Sequence, residues 1–385
     1  MFLRNCWYAA GWSRDFEPGK LYPLTILNEP VIVYRTANHT PVALQDRCCH
    51  RLAPLSMGRL EGENLRCMYH GLKFAPSGRC IEIPGEAKIP PQVRVRSYPI
   101  RDEYSIAWIW MGDAASADAE LIPDFVGVDD PRWAMHPGRM DYKANYTLIN
   151  DNLLDLSHIG FLHANSLGLT VTPKKMFKPT VTPIPRGVRI QSWGISGPSR
   201  ILPRFRELSF DVWQTYDFIV PGVFLLQAGF FPSGTAQRFP EREAVGVEPL
   251  HIQFTCQAVT PLTHDRTCYF FAYGPWVKEA ELKDFFHDLG KRAFVEDRMM
   301  IEAQQRNIDL HPEAKMVKLS MDAGVARFNR IMEELMRAEA RPSSPMLAAA
   351  VEADEFQGNS HSNDHPELCD AHEAGGLRPA RSEAR

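Results

Sequence analysis

Polar and apolar side chains alternate over residues 251–258. His251, Gln253, Thr255 and Gln257 stand against Ile252, Phe254, Cys256 and Ala258. A period of two predicts a strand with one polar and one apolar face. Strands extend over residues 180–275, with turn signals at Pro183, Gly187, Gly197, Gly222 and Gly234. Residues 1–115 also read as short strands. Val31–Tyr34 is β-branched and aromatic, Ile106–Trp110 is a compact apolar run, and Gly and Pro separate the segments. Helical patterns appear at Asn145–His163, 279–307 and 322–340. In the second of these, Phe286, Leu289, Ala293, Met300 and Ile301 fall on one stripe, with Asp297 inside it and Glu296 at its edge. The expected fold is α+β: an all-β domain at 1–115, a larger domain at 116–340 and a tail at 341–385. Residues 113–132, rich in Asp, Ala and Pro, suit a linker.

Composition narrows the function classes. The chain has 385 residues, 44% hydrophobic and 23% charged, with a net charge of −4. Nothing in that balance attracts nucleic acid or an anionic membrane. The best candidate for a membrane span, Phe218–Phe231, is interrupted by Pro221, Gly222, Gln227 and Gly229. The N-terminus lacks a secretory pattern, so a cytoplasmic protein is expected. Eight cysteines are too few for a disulfide scaffold of this length, and closely spaced Cys and His then read as a metal site. The tail is read as flexible and solvated. Its His361, His365, Cys369 and His372 are at most adventitious ligands.

Two constellations carry the chemistry. The first is Cys48-Cys49-His50 and Cys67-Met68-Tyr69-His70, two loops that each offer a thiolate and an imidazole. Mixed loops of this kind suit a Rieske [2Fe–2S] cluster, where two Cys hold one iron and two His the other. A structural zinc site with the same four ligands is the alternative. Cys49 is an extra thiol, read as a packed small residue. The second constellation lies at 150–163. Asn152, Asp155 and His158 are spaced by three and share a helical face. His163, five beyond His158, lies about 140° round an ideal helix. Both imidazoles reach one metal only if the helix bends, bulges or ends between them, and Gly160 lies there. A carboxylate such as Asp297 inside an apolar stripe needs a metal or a cation. Two His and one carboxylate make the facial triad of non-haem Fe(II) oxygenases. An Arg partner for Asp297 is the alternative.

The stretches FLRNCWYAAGW, CCHRLAPLSMGRLEG, LRCMYHGLKF, NDNLLDLSHIGFLHANSLG and FVEDRMMIEAQQ occur in this order. Through them the chain, over residues 1 to about 340, resembles the oxygenase components of Rieske non-haem iron oxygenases. Within these it resembles the vanillate O-demethylase group, which includes toluenesulfonate methyl-monooxygenases. The resemblance implies Cys48, His50, Cys67 and His70 as cluster ligands. It implies His158, His163 and Asp297 as ligands of a mononuclear iron. Asp155 matches the carboxylate that carries electrons from His70 of a neighbouring subunit in a head-to-tail trimer. Cys49 departs from the family, where many members have Pro. The implied fold is a Rieske β-domain followed by a helix-grip domain, an antiparallel sheet around a long helix. The implied partner is an NAD(P)H-dependent reductase of flavin and iron–sulfur type.

The implied reaction is mono-oxygenation of a small aromatic, by O-demethylation of a methoxybenzoate-like acid or hydroxylation of an aryl methyl group. Ring dioxygenation is one alternative; an electron-transfer or structural metal protein is another. If the polar face of 251–258 looks into the pocket, Gln257 and Gln227 are candidates to hold a polar substituent, and Trp213 and Phe230 to stack on a ring. Otherwise that face meets solvent and the aromatics are core.

Overall fold

The computed structural model describes residues 1–164, 166–167, 179–196, 207–317, 319 and 322–340. The expected tail at 341–385 and the turn signal at Gly197 lie outside the described residues. The N-terminal strands are β1 (Trp7–Trp12), β2 (Leu21–Ile26), β3 (Glu29–Arg35), β4 (Pro41–Gln45), β5 (Arg59–Glu61), β6 (Asn64–Arg66), β7 (Lys73–Phe74), β8 (Cys80–Glu82), β9 (Ser97–Tyr98), β10 (Ile100–Glu103) and β11 (Ile106–Trp110). They form three small sheets, ordered β1-β11-β10, β2-β3-β4-β9 and β5-β6-β7-β8. Short strands with tight turns are what the Gly- and Pro-punctuated sequence dictates.

The larger sheet contains β12 (His136–Tyr142), β13 (Thr180–Ile184), β14 (Gly187–Ser196), β15 (Phe210–Ile219), β16 (Val223–Pro232), β17 (His251–Thr263) and β18 (Arg266–Pro275). It is antiparallel, in the order β12-β18-β17-β16-β15-β14-β13. The helices are α1 (Tyr146–Leu154), α2 (Ile159–Leu162), α3 (Thr235–Arg238), α4 (Lys283–Leu310) and α5 (Ala323–Glu339). Helix α4 lies across one face of this sheet. Phe286 packs on His251 and Tyr273, and Phe294 on Tyr269 and Phe271. Gly290 permits the close approach: a Cβ there would meet Tyr273 Cδ1 at 2.6 Å. The buried residues of α4 are Phe286, Leu289, Gly290, Ala293, Asp297 and Ile301. Met300, expected on that stripe, is 56% exposed instead.

The alternation in β17 puts neither face in solvent. His251, Thr255 and Gln257 are buried on the α4 side. On the other face Phe254, Cys256 and Ala258 join Trp7, Trp12, Trp108 and Trp110 in one apolar cluster. The expected linker contributes to this seam. Ile122, Phe125 and Val126 are buried in it, with the Phe125 ring 5.8 Å from Trp108 and 6.3 Å from Trp12. A polar composition concealed this short apolar plug. Met1–Glu339 is one compact unit. Among the described residues no helix is long and apolar enough to cross a membrane.

Candidate metal centres

The two Cys/His loops are built alike. Cys48 N–H donates to Ala53 O (2.8 Å) and Leu52 N–H to Cys48 O (2.9 Å). Cys67 N–H donates to Leu72 O (2.8 Å) and Gly71 N–H to Cys67 O (3.0 Å). In each loop the fourth residue after Cys has positive φ, Leu52 at 59° and Gly71 at 78°. Glycine accepts that conformation freely, whereas leucine is strained in it. Outer groups brace both loops. Asp46 accepts from Ser56 N–H and Oγ–H, both at 2.6 Å, and Arg66 donates to Gly71 O at 2.7 Å while pairing with Glu61 and Glu82. No motif in the sequence singles out Asp46 or Arg66 for this bracing.

Cys48 and Cys67 are buried, whereas His50 and His70 are exposed with ring centroids 4.5 Å apart. Burial pushes the Cys48 thiol up to about 12, helped by Cys67 beside it. Two adjoining buried thiols ionise only against positive charge, which the irons of a cluster provide. Cys49, expected to be packed, is exposed. Its neighbour Cys48 turns inward, while Cys49 lies in the turn that the Leu52–Cys48 hydrogen bond closes.

The second constellation departs from the single helix expected over Asn145–His163. Helix α1 ends at Leu154 and Asp155 is extended (φ −116°, ψ 98°). Its carboxylate accepts from Ser157 N–H at 2.8 Å and caps a 3-10 turn, Leu156–His158. A short polar side chain that bonds its own backbone competes with the helix. The break therefore lies at Asp155, not at Gly160. His158 and His163 flank the single turn of α2 as its two caps, and their rings are 5.1 Å apart.

Asp297 completes the set. Its Oδ1 is 3.1 Å from His163 Nε2 and 3.4 Å from His158 Nε2. Asn152 Nδ2 donates to the same oxygen at 3.1 Å. The outer nitrogens are also fixed. His158 Nδ1 donates to the Asp155 backbone carbonyl (2.6 Å), and His163 Nδ1 donates to Glu296 Oε2 (2.7 Å). Both Nε2 lone pairs thus face a carboxylate oxygen. Three converging acceptors are reconciled only by a cation, so the residues fit a metal ion. The three donors lie within 4.8 Å of one another. Electrostatics agree. Burial opposes ionisation of Asp297, but His158 and His163 outweigh it and hold the carboxyl below its usual range. Burial would lower His163, but Asp297 and Glu296 outweigh it and raise it.

The four pocket candidates do not share a face. Gln227 stands opposite Thr215 and Phe254, and Trp213 opposite Gly229. Both therefore point away from α4, where Trp213 packs on Trp193 and Phe231. Phe230 and Gln257 lie on the α4 side, since Phe230 pairs with Val212 and Gln257 with Phe224. Gln257 is already engaged: Tyr269 Oη donates to its Oε1 (2.6 Å) and its Nε2 donates to Tyr216 Oη (3.3 Å). Trp213 and Gln227 thus cannot line a cavity with Phe230 and Gln257. Pairing register, absent from a single sequence, decides this.

Comparisons with known proteins agree with this geometry. A family model described as the Rieske [2Fe-2S] domain matches residues 6–99. Another, the vanillate O-demethylase oxygenase C-terminal domain, matches residues 142–338. The toluene-4-sulfonate monooxygenase system iron-sulfur subunit TsaM1 of Comamonas testosteroni is 38% identical over 355 residues, 90% of this chain and 100% of that protein. The vanillate O-demethylase oxygenase subunit of a Pseudomonas strain is 31% identical over 334 residues, 84% of this chain and 98% of that protein. A crystal structure of dicamba monooxygenase bound to 3,6-dichlorosalicylic acid superposes with a TM-score of 0.79 at 28% identity, covering 89% of this chain and 99% of that one. The chain belongs to the Rieske non-haem iron oxygenases. It is the oxygenase component of a monooxygenase system, with a [2Fe–2S] cluster and a mononuclear iron as cofactors, and a separate reductase is its partner.

Proposed function

We propose that this chain oxidises a methyl carbon of a small aromatic anion, with an aryl methyl group beside a sulfonate or carboxylate as the first choice and a methoxybenzoate as the second. The observation that carries this reading is the likeness to TsaM1 along that protein's full length, joined to the convergent His158, His163 and Asp297 set. Cys48, His50, Cys67 and His70 would hold the cluster, and His158, His163 and Asp297 the mononuclear iron. When bound, that iron supplies reductive activation of O₂ for insertion into a C–H bond. The chain's own groups orient it: Asn152 fixes the Asp297 carboxylate, and the Asp155 carbonyl fixes His158. Phe230 is packed against Phe210 and His251 on the α4 side, and Gln257 holds Tyr216 rather than the substrate.

Electrons arrive from a flavin and iron–sulfur reductase, and a cytoplasmic setting suits such a partner. We place the bridge between subunits of a head-to-tail trimer, from His70 to Asp155 of the next copy. Two surfaces support that arrangement. Exposed Leu52, Met68 and Tyr69 surround the cluster histidines, and exposed Phe161, Met299 and Met300 lie beside the second site. Exposed apolar side chains of this kind mark interfaces.

The test is product analysis. Purified protein, a compatible reductase, NADH and O₂ are given methyl-substituted benzenesulfonates and benzoates and methoxybenzoates. The reading expects a hydroxymethyl product from an aryl methyl substrate. Formaldehyde from the methoxybenzoates alone would instead make it an O-demethylase, and a ring dihydrodiol would contradict methyl oxidation.

A further inference from the structure

The two imidazoles beside Asp297 have unequal outer partners. His158 Nδ1 donates to a neutral group, the Asp155 backbone carbonyl, at 2.6 Å. His163 Nδ1 donates to a carboxylate, Glu296 Oε2, at 2.7 Å. That same oxygen accepts a hydrogen bond from Ser166 Oγ at 2.6 Å. Glu296 is thus held from two sides, one of them the His163 ring, whose side chain is only 2% exposed. Its neighbour Asp297 turns inward on the same helix, so one turn of α4 presents two carboxylates to one imidazole, one at each ring nitrogen.

We propose that Glu296 is a positioning residue: it fixes His163 with Nε2 bare toward Asp297, and through the ring it adds a second negative charge to the iron site. The inference rests on the reading that His158, His163 and Asp297 hold the mononuclear iron. A carboxylate on the far nitrogen makes an imidazole a stronger donor to a metal. The asymmetry then has a consequence for the two ligands. His163 is the charge-reinforced anchor. His158, tied to the backbone of Asp155 where α1 breaks, depends on the local conformation of that break.

The test measures metal affinity in the holoprotein. Wild type, Glu296→Gln, Ser166→Ala and Asp297→Asn are purified with their clusters, stripped of mononuclear iron and titrated with Fe(II) against a chelator. The visible absorbance of the cluster serves as the internal count. Glu296→Gln keeps shape and a hydrogen-bond acceptor but removes the charge. It should weaken Fe(II) binding by about 10-fold or more, with the cluster band and the thermal midpoint unmoved. Ser166→Ala should weaken it by a smaller factor in the same direction. Wild-type affinity in Glu296→Gln, with Asp297→Asn unable to bind, would overturn the role of Glu296 and leave the site itself standing. Wild-type affinity in Asp297→Asn as well would overturn the site and the inference together. A Glu296→Gln protein that loses Fe(II) only in step with a falling thermal midpoint would assign Glu296 a merely structural role and also overturn the proposal.

Discussion

Asp297 Oδ1 stands 3.1 Å from His163 Nε2, although the two residues come from different elements, the middle of α4 and the end of α2. Both side chains are nearly fully buried. Neither long helix nor sheet alone creates this meeting. It depends on α4 lying close on β18 and on the chain breaking at Asp155, so that His163 is turned back toward α4.

Asp155 has two structural duties besides the proposed electron bridge. Its backbone carbonyl holds His158, and its carboxylate caps the turn through Ser157. Asparagine is as good a cap as aspartate. Asp155→Asn should therefore keep about three irons per chain and wild-type stability. Reductase-driven product formation should nonetheless fall by at least about 10-fold, the tenfold step that 1.4 kcal/mol produces. Iron counting beside a turnover assay separates the outcomes. Unimpaired turnover would remove the bridging role and leave only the cap.

The Tyr269–Gln257–Tyr216 chain is buried and bonded at each link. Gln257→Leu removes both bonds and strands two phenols. Each buried polar group left without a partner costs about 1–3 kcal/mol, so the urea midpoint should drop clearly. Tyr269→Phe, which leaves only the Gln257 oxygen unmatched, should cost less.

Gly290 sets the spacing of α4 on the sheet. Alanine is favoured over glycine in a helix by about 1 kcal/mol. Its Cβ would, however, stand 2.6 Å from the packed Tyr273 ring, and overpacking costs about 1–3 kcal/mol. The clash outweighs propensity. Gly290→Ala should therefore lower the thermal midpoint, and the displacement of α4 should also weaken mononuclear iron binding. A stabilised protein would mean that the ring moves aside freely.

Arg35 holds Asp102 bidentately, at 2.6 and 2.9 Å, and joins β3 to β10. Burial pushes the Asp102 carboxyl up, but Arg35 and Ser13 outweigh it and leave it below its usual range. A carboxyl lowered in the folded state contributes stability above its unfolded pKa, about 3.9. That contribution is lost as pH falls through the folded value. Urea midpoints of wild type and Asp102→Asn should therefore differ at pH 7, begin to converge below about pH 4 and meet below the folded value. A difference that persists at low pH would place its origin in packing instead of charge.

The proposed metal donors are legible because their chemistry restricts residue type and spacing. Cys48, His50, Cys67 and His70 stand close in sequence, and Asp297 stood out as a charge inside an apolar stripe. Other features depend on what a single sequence does not encode. The pattern at Asn145–His163 is helical, yet the Asp155–Ser157 hydrogen bond interrupts it. Residue type alone makes Trp213 and Gln227 pocket candidates, but strand register sends them to the opposite face from Phe230 and Gln257. Phe125 looked like part of a polar linker but is one apolar residue in a tryptophan seam. In the sequence Glu296 stands only at the edge of the stripe. Its link to His163 requires α2 and α4 to be side by side.

Mass spectrometry of the product formed from a methyl-substituted benzenesulfonate under ¹⁸O₂ tests the central claim most directly. Wild type should yield a hydroxymethyl product carrying one ¹⁸O on the former methyl carbon, and Asp297→Asn should yield none. Two ¹⁸O atoms on the ring, or the same product from Asp297→Asn, would contradict the account.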